Sequence, residues 1–306
     1  MKNAYLAICY ICNENCRFCP CSKSDKSSGI ITNINELTQC VNKINDDGVT
    51  DITISGGEPT LHPDFIDIIS YIQHKGINVT VLSNSEKFAD IEFLKDFLEK
   101  VNINNIKVIT TLHSNSSYEH EDTNRTKGSF YRTVNGLLGL SKNGVKVIIK
   151  HCITKVNYKG LLDFYEFCDK TFDSKVDIQL CSIDYCGIPK EQLQKERLSF
   201  PELRPYLEDL FEYHISQKNK GNNRYLYCIN MPLCSCDVIY WNYLKGKRKK
   251  MYDAYKDPCI KNMKKVSDNV GISQKYCNKC RVSSICSGTY FTAFDAFGSS
   301  IIKPFL

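Results

Sequence analysis

Residues 5–19 read Tyr-Leu-Ala-Ile-Cys-Tyr-Ile-Cys-Asn-Glu-Asn-Cys-Arg-Phe-Cys, an apolar run that leads directly into a loop crowded with cysteines. The aliphatic and aromatic residues of the run predict a buried strand from Tyr5 to Ile11. The thiols of Cys12, Cys16 and Cys19 follow in the spacing C-x3-C-x2-C, so one short loop can bring all three to a common centre. The stretch therefore predicts a metal site at the end of the first strand.

Three thiols suit two kinds of metal centre. A structural zinc ion needs a fourth protein ligand to complete its tetrahedron, and Cys9 or Cys21 stands near enough in the sequence to supply it. A cubic iron–sulfur cluster held by three thiolates leaves one iron open to a cofactor or substrate. The loop by itself leaves both alternatives open.

The chain has the composition of an ordinary globular protein, apart from an unusually large number of cysteines. Its 306 residues suffice for one large domain, or for a domain of roughly 200 residues with a smaller one attached. No run of 18 apolar residues exists to span a bilayer, so no membrane segment is expected. The net charge of +6 is spread along the chain except for the basic run 245–250, which we interpret as a solvated surface, and no nucleic-acid partner is expected.

The chain has 17 cysteines and no recognisable export signal. In a reducing cytoplasm, the predicted location, such a count favours metal or redox chemistry over disulfides. Free cysteine also packs well as a small apolar residue. The cysteines that we assign to packing are Cys9, Cys40, Cys152, Cys168 and Cys181, whereas Cys21 is expected to be exposed near the metal loop.

Strand and helix patterns alternate along the first two-thirds of the chain. The predicted strands are Tyr5–Ile11, Asp51–Ile54, Ile77–Leu82, Ile106–Leu112, Val145–Ile153 and Val176–Ile183. The predicted helices are Asn33–Asp46, Pro63–Lys75, Ile91–Val101, Ser129–Asn143 and Tyr158–Phe172. This order implies an α/β fold with a parallel sheet and right-handed crossovers, which either a doubly wound open sheet or a barrel satisfies.

The pattern changes after about residue 190. One helix is predicted from Ser199 to Lys218, with Pro201 in its first turn. The remainder shows little apolar periodicity, so a metal is expected to hold it together. Its seven cysteines are Cys228, Cys234, Cys236, Cys259, Cys277, Cys280 and Cys286.

A second motif, Ile54-Ser-Gly-Gly-Glu-Pro59, ends the second predicted strand. Gly56 and Gly57 allow the backbone to come close to a ligand because neither has a β-carbon, and Glu58 adds an acceptor. Ligands of parallel α/β folds bind at the carboxyl ends of the strands. We therefore expect this motif and the cysteine loop to face the same mouth.

Together, CNENCRFC and ISGGEP resemble the signature of the radical S-adenosylmethionine (radical SAM) superfamily, with Phe18 at its aromatic position. The resemblance covers residues 5 to about 185 and implies a partial (β/α)6 TIM-like barrel. It implies that Cys12, Cys16 and Cys19 hold a 4Fe-4S cluster, whose open iron binds S-adenosylmethionine. Phe18 would then pack near the adenine, and Gly56 to Glu58 would receive the methionine ammonium.

The resemblance also implies the chemistry. Members cleave S-adenosylmethionine reductively to a 5′-deoxyadenosyl radical, which abstracts a substrate hydrogen. Polar residues at the other strand ends are further candidates for cofactor contacts: Asn84, His113, Ser114, His151 and Asn157. His74 and His120 are expected on the surface.

The C-terminal motif Cys277-x2-Cys280-x5-Cys286 resembles the auxiliary-cluster region called SPASM or, in its shorter form, Twitch. This resemblance implies a second 4Fe-4S cluster for electron transfer, with Cys234 as fourth ligand and Cys259 or Cys228 as alternatives. Because Tyr290 stands where a full SPASM region has a further cysteine, one auxiliary cluster is expected. A zinc knuckle is the alternative.

An unassigned thiol (Cys21, Cys186, Cys228 or Cys236) could donate hydrogen to a substrate radical.

We expect a core barrel over residues 1–190, a helical linker over 191–226 and a SPASM/Twitch-like domain over 227–306.

Relatives with such a tail mostly modify ribosomally made peptides by thioether or carbon–carbon crosslinks or by epimerisation. A small-molecule dehydrogenase or epimerase, for example one acting on an aminosugar, and a zinc-stapled binding protein are the alternatives. The expected partners are a peptide or small-molecule substrate, a flavodoxin or ferredoxin, and a separate leader-peptide recognition protein, because the chain begins almost at its first strand.

Overall fold

The structure is a computed structural model that describes residues 2–21, 29–244, 254–255 and 269–306, the pair 254–255 by its backbone alone. The basic run 245–250 and Cys259 lie outside the described residues. Within the described ranges, no helix combines the length and apolar character that a bilayer crossing requires.

The core is a parallel sheet in which the strands lie side by side in the order β7-β6-β5-β4-β3-β2-β1-β8. All its neighbouring strands pair in parallel. Its strands are β1 Asn3–Cys9, β2 Asp51–Gly56, β3 Asn78–Ser83, β4 Ile106–Thr111, β5 Lys146–Ile153, β6 Asp177–Ser182, β7 Leu226–Ile229 and β8 Ala254–Tyr255. The six predicted strands are confirmed, and β7 and β8 extend the sheet at its two edges.

Helices follow the strands as the pattern predicts. They are α1 Ile34–Asp46, α2 Phe65–His74, α3 Ile91–Lys100, α4 Ser117–Asn124, α5 Ser129–Lys142, α6 Leu161–Thr171, α7 Leu193–Glu196, α8 Phe200–Asn219, α9 Gln274–Cys277 and α10 Phe291–Phe297. Ser199 begins α8 as predicted, because its side chain accepts a hydrogen bond from the Glu202 N–H. Helix α4 is not predicted from the sequence, because its residues SYEHEDTN show no apolar period.

The strand order decides between the two predicted topologies. A doubly wound sheet reverses its strand order at a switch point, whereas here β1 to β7 follow one another in sequence order. The sheet also curls. A β-carbon on Gly187, after β6, would lie 2.1 Å from the Cys19 carbonyl oxygen after β1, although four strands separate β1 from β6 in the sheet. The predicted α/β partial barrel is therefore confirmed.

The two faces of the sheet differ. On the convex face the side chains are completely buried beneath the helices, as Ile54, Val81 and Ile149 show. On the concave face Thr53 and Thr80 keep part of their surface accessible. The barrel interior is therefore not filled by bulky apolar layers, as the interior of a closed barrel is.

The C-terminal segment packs on this barrel. Helix α8 lies against α6, and two short antiparallel strands, β9 Val270–Gly271 and β10 Thr289–Tyr290, precede α10. The Tyr185 and Phe297 rings meet edge to face with centroids 4.9 Å apart, which joins the loop after β6 to α10. The predicted domain boundaries stay predictions, and β7 spans the one at 226/227.

Candidate functional site

The cysteine loop lies at the mouth of the barrel, directly after β1. Cys12, Cys16 and Cys19 are each half-buried, and no disulfide joins any of the described cysteines. Within the loop, the Glu14 N–H donates to Cys12 Sγ at 3.4 Å and the Cys19 N–H to the Cys16 carbonyl at 3.2 Å. These two hydrogen bonds within the loop turn it back on itself.

The two glycines of the second motif lie against the chain that leads into this loop. The Gly57 N–H donates to the Cys9 carbonyl and the Glu58 N–H to the Ile11 carbonyl, both at 2.8 Å. A β-carbon on Gly56 would stand 2.0 Å from the Cys9 oxygen, and one on Gly57 would stand 2.1 Å from the Ile11 oxygen. The glycines are thus required for close approach of the two motifs, and β1 ends at Cys9 because residues 10–11 turn to meet them.

The carboxylate of Glu58 is completely buried and fully hydrogen-bonded inside the protein. It accepts from Thr60 Oγ1 at 2.6 Å, from Ser83 Oγ at 2.7 Å and from the Asn84 N–H at 2.7 Å. Burial raises the pKa of the Glu58 carboxyl, and these hydrogen bonds oppose the rise. The side chain of Glu58 ties the ends of β2 and β3 together.

Helix α4 fixes the cysteine loop from the other side. The Asn15 N–H donates to the Asn124 carbonyl at 2.9 Å and the Arg17 N–H to the Thr123 carbonyl at 3.0 Å. The last carbonyls of a helix lack partners within it, so the loop supplies the missing donors. The Arg17 guanidinium adds an ion pair to the Asp122 carboxylate at 2.5 Å.

Asn124 is the centre of a buried polar network beneath the loop. Its side-chain amide lies 2.7 Å from Glu14 Oε1 and 3.1 Å from His120 Nε2. His120 Nδ1 in turn accepts from the His113 N–H at 3.2 Å. The expectation of a surface position for His120 is therefore wrong, because α4 turns the ring inward to complete these bonds, while His74 is exposed as expected.

Glu14 is the most unusual of these residues. It is buried, its Oε2 atom accepts from Cys16 Sγ at 3.3 Å, and burial raises the pKa of its carboxyl to about 8. One ligand atom each from Glu14, Cys16 and His113 lie within 4.8 Å of one another. Glu14 is not predicted from the sequence as a site residue, because a glutamate between two cysteines carries no periodic signal.

The predicted strand-end residues have different surroundings. Three of them are engaged within the protein: Asn84 Nδ2 donates to Asn13 Oδ1 at 2.8 Å, Ser114 Oγ to Glu119 Oε2 at 2.6 Å, and Asn157 Nδ2 to the His113 carbonyl at 2.9 Å. These bonds fix the loops around the mouth.

The two predicted histidines face opposite sides of the sheet. His113 lies at the mouth, its ring edge to face with Phe18 at 5.5 Å between centroids, and its buried Nδ1 has no partner among the described residues. Burial lowers the pKa of His113 well below its ordinary value, so the ring is neutral. The His151 ring packs on Phe164 of α6 at 4.0 Å, on the convex face of the sheet.

The C-terminal cysteines form a second site. Cys234, Cys277, Cys280 and Cys286 line one pocket, whose other walls include Ile272, Phe294 and Phe305. The Leu233 and Gly288 N–H groups each donate to Cys286 Sγ at 3.3 Å. Cys228 does not line this pocket, because it is buried on β7 within the sheet.

Comparison with known proteins places the chain in a family. Residues 6–168 match the family model described as Radical SAM superfamily. The chain belongs to the radical SAM superfamily. Among curated relatives, the antilisterial bacteriocin subtilosin biosynthesis protein AlbA of Bacillus subtilis is 25% identical over 173 residues, 56% of this chain and 37% of AlbA. The sporulation killing factor maturation protein SkfB of the same organism is 27% identical over 159 residues, 51% of this chain and 37% of SkfB.

Solved structures share the fold of this chain. Streptococcus suis SuiB aligns with a TM-score of 0.58 and 18% identity, over 74% of this chain and 49% of SuiB. AnSMEcpe with bound AdoMet aligns with a TM-score of 0.59 and 20% identity, over 73% of this chain and 63% of anSMEcpe. The chain thus spans little more than a third of AlbA and SkfB and about half of SuiB.

The cofactors of the radical SAM superfamily are a 4Fe-4S cluster and S-adenosylmethionine, and the mouth of this barrel fits both. Three thiols on one loop match a cluster with one open iron. Because Gly56 and Gly57 lie against Cys9 and Ile11, the backbone of the glycine motif stands beside that loop. Nδ1 of His113, for which the described part of the chain offers no hydrogen-bond partner, adds a polar group to the same mouth.

Proposed function

We propose that this protein is a radical SAM enzyme that modifies a ribosomally synthesised peptide, by a thioether or carbon–carbon crosslink or by epimerisation. One observation carries the proposal: a three-thiol loop and a four-thiol pocket are built on the same end of one barrel. The loop after β6 connects the two, since Gly187 packs on Cys19 and the Tyr185 N–H donates to Thr292 Oγ1 at 3.1 Å in α10, the helix whose Phe294 lines the four-thiol pocket. AlbA and SkfB, which by name serve bacteriocin biosynthesis and killing-factor maturation, support a peptide substrate.

In this proposal Cys12, Cys16 and Cys19 hold the first cluster, and Gly56, Gly57 and Glu58 present their backbone to the methionine part of the cofactor. Phe18, His113 and the loops fixed by Asn84, Ser114 and Asn157 surround the rest of it, while His151 supports β5 from behind. Bound together, the cluster and S-adenosylmethionine supply a carbon-centred radical that takes hydrogen from unactivated carbon. The protein orients the substrate and excludes water.

Cys234, Cys277, Cys280 and Cys286 would hold one auxiliary 4Fe-4S cluster in the SPASM/Twitch-like region. Burial raises the pKa of the Cys234 thiol to about 12, so a cation is needed to stabilise its thiolate. Four thiols in an apolar pocket leave no iron open, which favours electron transfer over substrate binding. Among the alternatives, the burial of Cys228 on β7 argues against that residue, and Cys259 lies outside the described residues.

Small-molecule chemistry is the second candidate. A probable GTP 3′,8-cyclase of Methanococcus maripaludis is 36% identical over 108 residues, 34% of this chain and 36% of the cyclase. Similarity over so short a stretch supports the shared cofactor machinery more than a shared substrate. Membership in the radical SAM superfamily favours iron–sulfur clusters over the zinc-stapled alternative.

The proposal also names partners. Reductive cleavage of the cofactor needs a low-potential electron donor such as a flavodoxin or ferredoxin, and the reducing cytoplasm suits oxygen-sensitive thiolates. A separate leader-peptide recognition protein would present the substrate.

The decisive test has two parts. The purified enzyme is reconstituted anaerobically with iron and sulfide, and the enzyme is separately co-expressed with a short peptide encoded beside the gene. We expect a brown protein that forms 5′-deoxyadenosine, and a peptide that loses two hydrogens on crosslinking or gains deuterium in D2O on epimerisation. Mass spectrometry distinguishes these products. A colourless, zinc-loaded protein without 5′-deoxyadenosine would refute the proposal.

A further inference from the structure

The four thiols of the C-terminal pocket differ in their exposure. Cys286 is buried, whereas Cys234, Cys277 and Cys280 are half-buried. The sulfur of Cys286 accepts two backbone N–H bonds, each at 3.3 Å, and such bonds stabilise a metal-bound thiolate away from water. The pocket therefore has one inner thiol and three outer thiols.

The chain that follows Cys286 joins the inner side of the pocket to the barrel. Ser287 Oγ donates to the Met231 carbonyl at 3.2 Å, just after β7. Thr289 Oγ1 lies 3.4 Å from Ser182 Oγ, at the end of β6. Both bonds reach the carboxyl ends of strands, the end of the barrel at which the three-thiol loop lies, so the inner thiol is on the side of the first site.

A basic rim borders the outer side of the pocket. Lys279 and Arg281 flank Cys280 in the sequence, and both side chains are exposed. The Arg281 N–H donates at 2.9 Å to the carbonyl of Phe305, which lines the pocket. Lys303 is exposed as well and stands between two further lining residues. Three cations thus lie beside the outer thiols.

The basic rim has few acidic neighbours. Between residues 269 and 306 the sequence has four basic residues, Lys275 and the three of the rim, and one acidic residue, Asp295. Asp295 and Lys275 line a separate cleft beside the thiol pocket. The ion pairs formed within the described part of the chain do not involve the three cations of the rim. Such a patch attracts an acidic protein surface.

Crosslinking of a peptide releases one electron that must leave the enzyme. The reaction removes two hydrogens from the peptide. One is taken as an atom by the 5′-deoxyadenosyl radical, and the other leaves as a proton and an electron when the new bond forms. The electron needs an acceptor, and a metal centre between the barrel and the protein surface can pass it on.

We propose that a small electron-carrier protein with an acidic surface docks on the rim of Lys279, Arg281 and Lys303 and takes this electron through the outer edge of the four-thiol site. This inference rests on the proposed function in its crosslinking form. A flavodoxin has the required chemistry, because its oxidised flavin accepts one electron together with a proton from solvent. Each crosslink then reduces one carrier by one electron.

The test measures electron transfer from the second site alone. The full-length Cys16→Ala protein is reconstituted with iron and sulfide, reduced with dithionite, freed of excess reductant and mixed in a stopped-flow instrument with an oxidised, acidic flavodoxin. Absorbance of the flavin semiquinone gives the second-order rate constant.

Charge reversal of the rim should slow this transfer. At low salt, Lys279→Glu combined with Arg281→Glu should lower the rate constant about tenfold or more, because complementary charges raise association rates by at least that factor. The difference should shrink as salt is added, since ions screen exposed charges. Lys279→Arg combined with Arg281→Lys keeps both charges and should leave the rate constant unchanged.

Lys142→Glu combined with Lys175→Glu is the matched control. It makes the same change in net charge at exposed lysines near the amino ends of β5 and β6, at the opposite end of the barrel, and should not slow transfer. An unchanged rate constant in the rim variant, or an equal loss in the control, would overturn the inference.

The iron content of the Cys16→Ala protein reports separately on the proposed function. A preparation without iron would refute the auxiliary cluster, and the inference with it. An iron-loaded protein whose transfer rate ignores the charges of the rim would refute the inference alone.

Discussion

The two cysteine sites differ in the polarity of the residues around them. The loop of Cys12, Cys16 and Cys19 is held by hydrogen bonds from distant parts of the chain. Its own Glu14 is only 8% exposed and accepts a hydrogen bond from Asn124, which is completely buried. The pocket of Cys234, Cys277, Cys280 and Cys286 is lined mostly by apolar side chains.

This difference in polarity indicates which kind of ligand each site can bind. A polar mouth with three thiols has hydrogen-bonding capacity left for an organic cofactor, whereas an apolar pocket with four thiols can satisfy only the metal centre. On this view the first site performs the chemistry and the second exchanges electrons. Four predictions test that division.

Cys16→Ala has the largest expected effect. Loss of a thiolate from the three-thiol loop should remove the first cluster, so neither 5′-deoxyadenosine nor product should form, as chromatography of anaerobic reactions would show. Cys40→Ala, on helix α1, is the control and should behave as the wild type. Normal cofactor cleavage by Cys16→Ala would contradict the assignment of the loop.

Cys280→Ala should separate the two sites. We expect it to lose the iron of the auxiliary cluster and all product, yet to keep forming 5′-deoxyadenosine, because the first site is left intact. Iron analysis and electron paramagnetic resonance of the reduced protein provide the measurements. If the variant kept both clusters, the four-thiol pocket would not be the auxiliary site.

Gly57→Ala should reduce cofactor cleavage at least about tenfold, because the added β-carbon would overlap the Ile11 carbonyl at 2.1 Å and push the two motifs apart. Gly160→Ala is the matched control, since no atom lies within 4 Å of a β-carbon built there. Equal rates for the two variants would show that the close approach has no functional role.

Asp122→Asn should have the smallest effect. The side chains of Arg17 and Asp122 are 31% and 41% exposed, and exposed ion pairs contribute about 0–1 kcal/mol, while the backbone bonds from the loop to α4 remain. Thermal unfolding of the apoprotein should change little, and iron content should stay near that of the wild type. A complete loss of cluster would show that the ion pair, more than the backbone contacts, holds the loop.

Much of the fold was predictable because its signals are local. Strands β1 to β6 and the long helices follow from runs of apolar residues with a regular period, and α8 from Ser199 and its following proline. The polar helix α4 gives no such signal, and β7 has only four residues. Both exist because neighbouring elements supply their missing hydrogen bonds and apolar contacts.

The site divides in the same way. The sequence by itself predicted the three-cysteine loop, the C-terminal motif of Cys277, Cys280 and Cys286, and the glycine motif, because ligand chemistry requires particular residue types at short spacings. It left the fourth C-terminal cysteine open. Only the tertiary structure decided that His120 is buried, that His151 faces away from the mouth, and that the Glu14 side chain of the loop is buried against Asn124. Those positions depend on how far the sheet curls and on which elements meet across it, and contacts between residues a hundred positions apart leave no pattern in the local sequence.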